Sequence, residues 1–198
     1  LGEAGIRLQT KDAVLLIDPP ASSTGFKPPR SAADIVVLTM KHGRDDSSVT
    51  GEPLVIERPG EYERKNVFVY GLDLAPGSGQ VHYKISAEEI SLGHLADLPR
   101  SMDDAQANQF EGVDILFVPI GGKTVMSAEQ AASLVNQIEP RVVIPIQYHV
   151  PGSTSGYGKL DVWLKAMGAK SSEALEKYKV TKTDLPSDET LVVVLQSA

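Results

Sequence analysis

At 198 residues the chain has the length of one domain with a sizeable core. Its 41% apolar and 23% charged content is that of an ordinary globular protein, and a net charge of -7 argues against nucleic acid and anionic membrane as partners. There is no cysteine, which excludes disulfides, thiolate nucleophiles and Cys-ligated zinc. No apolar run reaches the ~18 residues that span a bilayer, and no secretory signal is visible. The chain opens at Leu1 without a Met, so a few residues are expected before it, and a cytoplasmic location is the expectation.

In chain order, GIRLQ (5–9) alternates apolar and polar residues. Thr10-Lys11-Asp12 then turns the chain into AVLLID (13–18), which predicts a hairpin. Asp18-Pro19-Pro20 stops the strand, and residues 21–31 read as loop. IVVLTM (35–40) is a continuous apolar run, expected as a buried central strand. Strands LVIER (54–58), VFVYGLDL (67–74), VHYKIS (81–86) and EISLG (89–93) follow at short spacing. The alternation around His82 predicts an exposed position on its strand.

The second part changes character. ILFVPI (115–120) predicts a buried strand ending at Gly121-Gly122, and VVIPIQ (142–147) predicts another. Between them SAEQAASLVNQIE predicts a helix, with Ser127 as N-cap, Gln130 as capping-box partner and Pro140 as stop. KLDVWLKAMG (159–168) predicts a second helix capped by Gly168, and SSEALEKY (171–178) a short third one. ETLVVVLQ (189–196) predicts a closing strand. One mixed α/β domain over 1–198 is the economical reading.

The ordered landmarks GIRLQ…LLIDPP, ADIVVLT, RPGEYE, GHLADL, VDILFVPIGG and EPRVVIPIQY together resemble the metallo-β-lactamase fold, in the branch of small lactonase-like, zinc-dependent hydrolases. The resemblance covers nearly the whole chain. It implies a four-layer αββα sandwich with a dinuclear metal site at one edge of the two sheets, built from loops at strand ends. It also implies a metal loop of the form His-x-His-x-Asp-His after a strand. Counted from Ala33-Asp34-Ile35, those four ligand positions here are Met40, His42, Arg44 and Asp45, so that one of four matches. The family's bridging aspartate, from a segment like HLGDL, corresponds to Asp97 in His94-Leu95-Ala96-Asp97-Leu98. Its later histidine, from a segment like IPMHY, corresponds to Gln147, and a histidine after Leu-Gly corresponds to Glu3.

A dinuclear site needs several imidazoles and carboxylates. Arginine stays protonated and only donates hydrogen bonds. Beside a metal cation, Arg44 would meet a repulsion of about 4 kcal/mol per charge product at ~4 Å and an effective dielectric of about 20. Methionine and glutamine are poor zinc ligands. The expectation is therefore an eroded site and a non-catalytic member of a hydrolase family with a binding or assembly role, no cofactor, and possible self-association. Arg44, or Lys41, is expected to pair with Asp97 in the metal's place. The alternative is a hydrolase of phosphoesters, lactones or similar esters that uses zinc or manganese in a mononuclear site from His42, Asp97 and either Asp45 or His149. His42 and Asp97 are then the catalytic candidates.

Other residues carry weaker expectations. His94 is expected to be structural, and Asp18 to serve a turn or hydrogen-bonding role. Gly121-Gly122 is expected as a tight turn. The stretch 152–158, Gly-Ser-Thr-Ser-Gly-Tyr-Gly, is expected as a flexible lid over the sheet edge. It lacks the P-loop form, and its Ser153, Thr154 and Ser155 have no visible base for a serine hydrolase.

Overall fold

The computed structural model describes residues 1–21, 24–26, 30–40, 48–169 and 173–197. Strands β1 (Ile6–Gln9) and β2 (Val14–Ile17) form the expected hairpin, Ile6 opposite Ile17. Thr10 closes its turn, its hydroxyl accepting from the Asp12 and Ala13 amides. Strand β3 (Ser31–Ala32) leads into β4 (Ile35–Val37), and β5 (Val49–Thr50) into β6 (Leu54–Ile56). β4 lies between β2 and β6, parallel to both, and all three of its residues are buried. This matches the uninterrupted apolar run, because a strand covered on both faces has no polar side.

A meander follows: β7 (Gly60–Arg64), β8 (Val67–Leu72), β9 (His82–Ala87) and β10 (Ile90–His94). The β7–β8 turn at Lys65-Asn66 and the β9–β10 turn at Glu88-Glu89 place both central residues at positive φ, the twist that tight hairpins require. The chain then alternates helix and strand through α1 (Asp104–Asn108), β11 (Ile115–Pro119), α2 (Ala128–Ile138), β12 (Val142–Ile146), α3 (Leu160–Ala166) and β13 (Leu191–Val192). From β10 to β13 the pairing is parallel. The described residues thus form a four-stranded sheet, β1-β2-β4-β6, and a seven-stranded sheet, β13-β12-β11-β10-β9-β8-β7, with the short pair β3-β5 beside them.

The sheets pack face to face. Leu15, Ile17, Ile35, Val37 and Ile56 of the smaller sheet meet Tyr83, Ile85, Leu92, Phe117 and Ile144 of the larger. The other face of β11 and β12, through Leu116, Val118 and Val143, packs on Leu134, Val135 and Ile138 of α2 and on Trp163 of α3. On the outer face of the smaller sheet, Leu16, Val36 and Leu38, with Val55 beside them, pack against Leu1, Ala33 and Val49, so among the described residues that fourth layer is not helical. Ser127 and Gln130 make the predicted capping box. A second box, Asp103 with Gln106, starts α1, which the sequence reading missed.

One predicted element is absent. Residues 173–178 are not helical, and 170–172 lie outside the described residues. Leu175 instead bridges to Leu195, and Tyr178 and Val180 pack against the inter-sheet core. The packing of Tyr178 and Val180 outweighs a weak helical preference of a few tenths of a kcal/mol per residue. Among the described residues no helix is long and apolar enough to cross a membrane.

The α2 capping box makes a direct prediction. Ser127→Ala removes the acceptor for the Gln130 amide and should lower unfolding stability by about 1 kcal/mol in a urea titration, with the slope unchanged.

Candidate functional site

In both sheets the parallel strands end on one edge, and short loops leave that edge carrying polar residues. Open sheets of this kind place ligands outside the carboxyl ends of their strands. β2 delivers Asp18, β4 delivers Thr39 and Met40, β10 delivers His94 and then Asp97, β11 delivers Gly121, and β12 delivers Gln147.

Asp18 and His94 join the two sheets here. His94 Nε2 lies 2.8 Å from Asp18 Oδ2, and the His94 side chain is wholly buried. The same carboxylate accepts from the Thr39 amide and the Thr39 hydroxyl, both at 2.7 Å. Thr39 in turn accepts the Val81 amide at 2.9 Å. The Tyr83 hydroxyl donates to the Leu38 carbonyl at 2.7 Å, and burial pushes that phenol well above its ordinary pKa. The segment leading into residues 41–47 is therefore held from several sides.

Asp97 is held by Gln147. The Gln147 amide nitrogen donates to Asp97 Oδ1 at 2.7 Å, while its carbonyl oxygen accepts the Asp97 backbone amide at 2.8 Å. The second hydrogen of that nitrogen faces the Tyr157 hydroxyl at 3.2 Å. Gln80 donates to the Asp97 carbonyl at 3.0 Å. Glu3 is placed by its own backbone carbonyl, which accepts the Gln147 backbone N–H at 3.0 Å, and its carboxylate bonds the Ser155 side chain. Burial raises the pKa of Asp97, against the hydrogen bond from Gln147. Burial also raises that of Glu3, with a smaller contribution from Asp97.

Backbone strain gathers at this edge. Among the described residues ten non-glycine positions have positive φ. Four serve the two hairpin turns and one, Glu139, ends α2. The remaining five are Glu3, Asp18, Asp97, Lys123 and Gln147, at φ 50, 41, 59, 62 and 51. Each costs about 1–2 kcal/mol relative to a relaxed conformation, and such strain is characteristic of functional sites. A cleft of about 550 Å³ adjoins the cluster at Glu3 and Gln147 and runs along β1 between the sheets over Leu92, Phe117 and Ile144.

The sequence candidates fare differently. Asp97, Gln147 and Glu3 come together, and Asp18 and His94, each expected separately in a structural or hydrogen-bonding role, turn out to be bonded to each other. His42, Arg44, Asp45 and Lys41 lie outside the described residues, and so does the expected pairing of Arg44 or Lys41 with Asp97. Met40 is partly exposed and bridges to Gln80. His149 is exposed, its amide donating to the Gly158 carbonyl. His82 corrects the expectation. It is 2% exposed, neither ring nitrogen has a hydrogen-bond partner among the described residues, and burial lowers its pKa to about 4. Val81, His82 and Tyr83 are all buried, so that stretch of β9 has no solvent side for the alternation to report. Ser155 and Tyr157 belong to the 152–158 stretch expected over the sheet edge, though their contacts with Glu3 and Gln147 were not foreseen, and Lys123 was not singled out at all.

The described donors do not fit a zinc centre by themselves. Zinc takes three or four imidazole, thiolate or carboxylate ligands. Here one oxygen of Asp97 is occupied by an amide, His94 Nε2 faces Asp18, and Glu3 bonds a serine. Among the described residues no three His, Cys, Asp or Glu converge to hold a metal.

A two-sheet sandwich with polar loops at one edge of the parallel strands is the architecture of the metallo-β-lactamase fold. The β-lactamase superfamily domain matches residues 1–147, and the chain belongs to that family. A UPF0173 metal-dependent hydrolase of Lysinibacillus sphaericus is 23% identical over 190 residues, covering 75% of this chain and 83% of that protein. One from Methanopyrus kandleri is 34% identical over 76 residues, covering 38% of this chain and a third (33%) of that relative. Among solved structures, one from Thermotoga maritima superimposes with a TM-score of 0.80 at 23% identity, over 98% of this chain and 95% of the other. Its assignment as a zinc-dependent hydrolase of the metallo-β-lactamase superfamily is itself provisional. The metallo-β-lactamase fold protein YhfI of Bacillus subtilis gives 0.66 at 14% identity, over 99% and 89%.

His82 makes the edge sensitive to acid. Its folded pKa of about 4 lies below the ordinary 6.5, so between these values the unfolded chain binds a proton that the folded chain refuses. That stabilisation is complete above pH 6.5 and is lost as pH falls through about 4, a change on the order of 3 kcal/mol. Urea midpoints at pH 7, 5.5 and 4 should fall more steeply for the native chain than for His82→Leu, which should also be the more stable of the two at low pH. Gly121→Ala should destabilise strongly in the same assay, because an added Cβ would lie 2.1 Å from the Gln147 carbonyl oxygen.

Proposed function

We propose that this chain is a non-catalytic member of the metal-dependent hydrolase family, acting over 1–198 as one unit whose site now serves binding or assembly. The observation that carries the reading is the Gln147 carboxamide on Asp97. A neutral amide meets both the backbone amide and one carboxylate oxygen of the residue that would bridge two metals. Asp97 therefore has partners for its backbone amide, its carbonyl and one carboxylate oxygen without a cation. The mismatch at Met40 and Arg44 in the sequence, and the poor donor set among the described residues, support the same conclusion. The cleft beside Glu3 offers a surface for a ligand or partner.

A second reading is favoured by the relatives, which bear the name of metal-dependent hydrolases. On it, zinc or manganese would bind His42, Asp97 and either Asp45 or His149. A bound metal would supply a hydroxide at neutral pH for attack on a phosphoester, lactone or related ester.

Two measurements separate the readings. Metal analysis of protein purified without chelator, repeated after incubation with zinc and manganese, should give well under one ion per chain. One ion per chain would overturn the non-catalytic reading and call for phosphodiester and lactone assays. Asp97→Asn gives an independent answer. Burial raises the Asp97 pKa, so its ionised form costs folding free energy above that pKa, and the cost vanishes as pH falls below the unfolded value. Asparagine keeps an oxygen for Gln147 and tolerates positive φ. The variant should therefore melt higher than the native protein at pH 7, with the difference shrinking in acid. A lower melting temperature accompanied by loss of bound metal is the outcome expected of a working site.

A further inference from the structure

Residues 149–158 leave β12 and return across the strand ends as a strap. The strap has no regular secondary structure, and three of its residues, Gly152, Gly156 and Gly158, are glycines. Its inner side alternates: Ser153, Ser155 and Tyr157 are half-buried, while Gly152, Thr154, Gly156 and Gly158 are exposed. The His149 amide donates to the Gly158 carbonyl at 2.8 Å and closes the strap on itself, and the Gly158 amide donates to Gly121 at 2.7 Å. Tyr157 crosses bare Gly121, where an added Cβ would meet its side chain at 2.6 Å. Lys123 Nζ donates to the Ser155 carbonyl at 2.6 Å, and Ser155 bonds Glu3.

One contact connects this strap to Asp97. Gln147 is 3% exposed, and its side chain has two hydrogens and one acceptor oxygen to place. The oxygen takes the Asp97 amide, one hydrogen goes to the Asp97 carboxylate and the other to the Tyr157 hydroxyl. We propose that Gln147 is a latch, a positioning residue that holds the 149–158 strap closed over Glu3 and Asp97 by bridging Asp97 to Tyr157. Releasing that amide removes the strap's tie to Asp97 and leaves it held by Ser155 on Glu3, Lys123 on the Ser155 carbonyl, Gly158 on Gly121 and the Tyr157 hydroxyl on Thr124. A ligand that competes for the Gln147 carboxamide, or for the carboxylate oxygen it holds, loosens the strap. This inference rests on the reading that no metal holds Asp97.

Hydrogen–deuterium exchange followed by mass spectrometry tests it on the full chain. Peptides covering 150–158 are compared between the native protein, with and without EDTA, and two variants, Gln147→Ala and Tyr157→Phe. The second variant removes one hydroxyl and keeps the ring over Gly121, so it does not depend on tolerance of a buried truncation. Both variants should exchange about tenfold faster in the strap, with the amides of β10, β11 and β12 unchanged, and EDTA should leave the native strap as it was. Unaltered strap exchange in both variants would overturn the latch while leaving the metal-free reading intact. Faster exchange in the native strap on adding EDTA would show that a metal holds Asp97, and would overturn both.

Discussion

The edge of this molecule depends on one carboxylate. Asp18 ends β2 in the smaller sheet, and His94, its partner, ends β10 in the larger. The contact is a buried hydrogen bond between the two halves of a sandwich packed mainly through apolar side chains, and it stands beside the Tyr83 hydroxyl on the Leu38 carbonyl and the Val81 amide on the Thr39 carbonyl. Apolar packing brings the sheets together but leaves them free to slide by fractions of an ångström. A buried, directional bond at 2.8 Å removes that freedom where the loops depart. Because Asp18 also holds the Thr39 amide and hydroxyl, the start of the 40–47 segment is registered against β10, and hence against Asp97 three residues beyond His94.

The strained backbone is intelligible on the same terms. Five non-glycine residues near this edge hold positive φ: Glu3, Asp97 and Lys123 inside tight turns that follow or precede strands, and Asp18 and Gln147 directly at strand ends. At about 1–2 kcal/mol each, the strain is comparable to the whole net stability of a typical domain. It persists because the packed strands beneath leave no relaxed path from strand end to loop. Glu3, Asp97 and Gln147 are directed toward one another by these kinks, and their mutual hydrogen bonds depend on that direction. A chain that had lost all use for the edge would gain stability by relaxing any of them.

Much of this was legible in the residues. The hairpin announced itself by alternation and a threonine turn, β4, β11 and β12 by runs too apolar for a one-sided strand, and α2 by Ser127 and Gln130. Asp97, Gln147 and Glu3 were singled out through the family resemblance, and the structure brings the three together. What the residues could not state is who bonds whom. Gln147 at a strand end reads as the loss of a histidine, whereas its amide makes three specific contacts that exist only when β10, β12 and the strap are assembled. His82 was misread because alternation assumes a wet face. The 173–178 helix failed because local preference is small beside the packing of Tyr178 and Val180. Tyr157 sits in a glycine- and serine-rich stretch whose composition signals looseness, and its place over Gly121 is a tertiary fact.

A carboxamide at position 147, where the family resemblance implies an imidazole, has a physical logic on the proposed reading. An imidazole and a carboxylate facing each other across an interior gap form a stable pair only with a proton or a metal between them. When the metal is lost, the pair depends on pH and each partner must find new hydrogen bonds. A primary amide offers hydrogens and an acceptor in one plane and carries no charge, so it satisfies Asp97 at both its amide and its carboxylate at any pH near neutral. The cost is the desolvated charge on Asp97, visible as its raised pKa. A residue selected for stability alone at that position would not be acidic. The retention of Asp97 beside a neutral partner, on a strained backbone and under a fastened strap, is therefore the strongest reason to regard this edge as still in use for something other than holding the fold together.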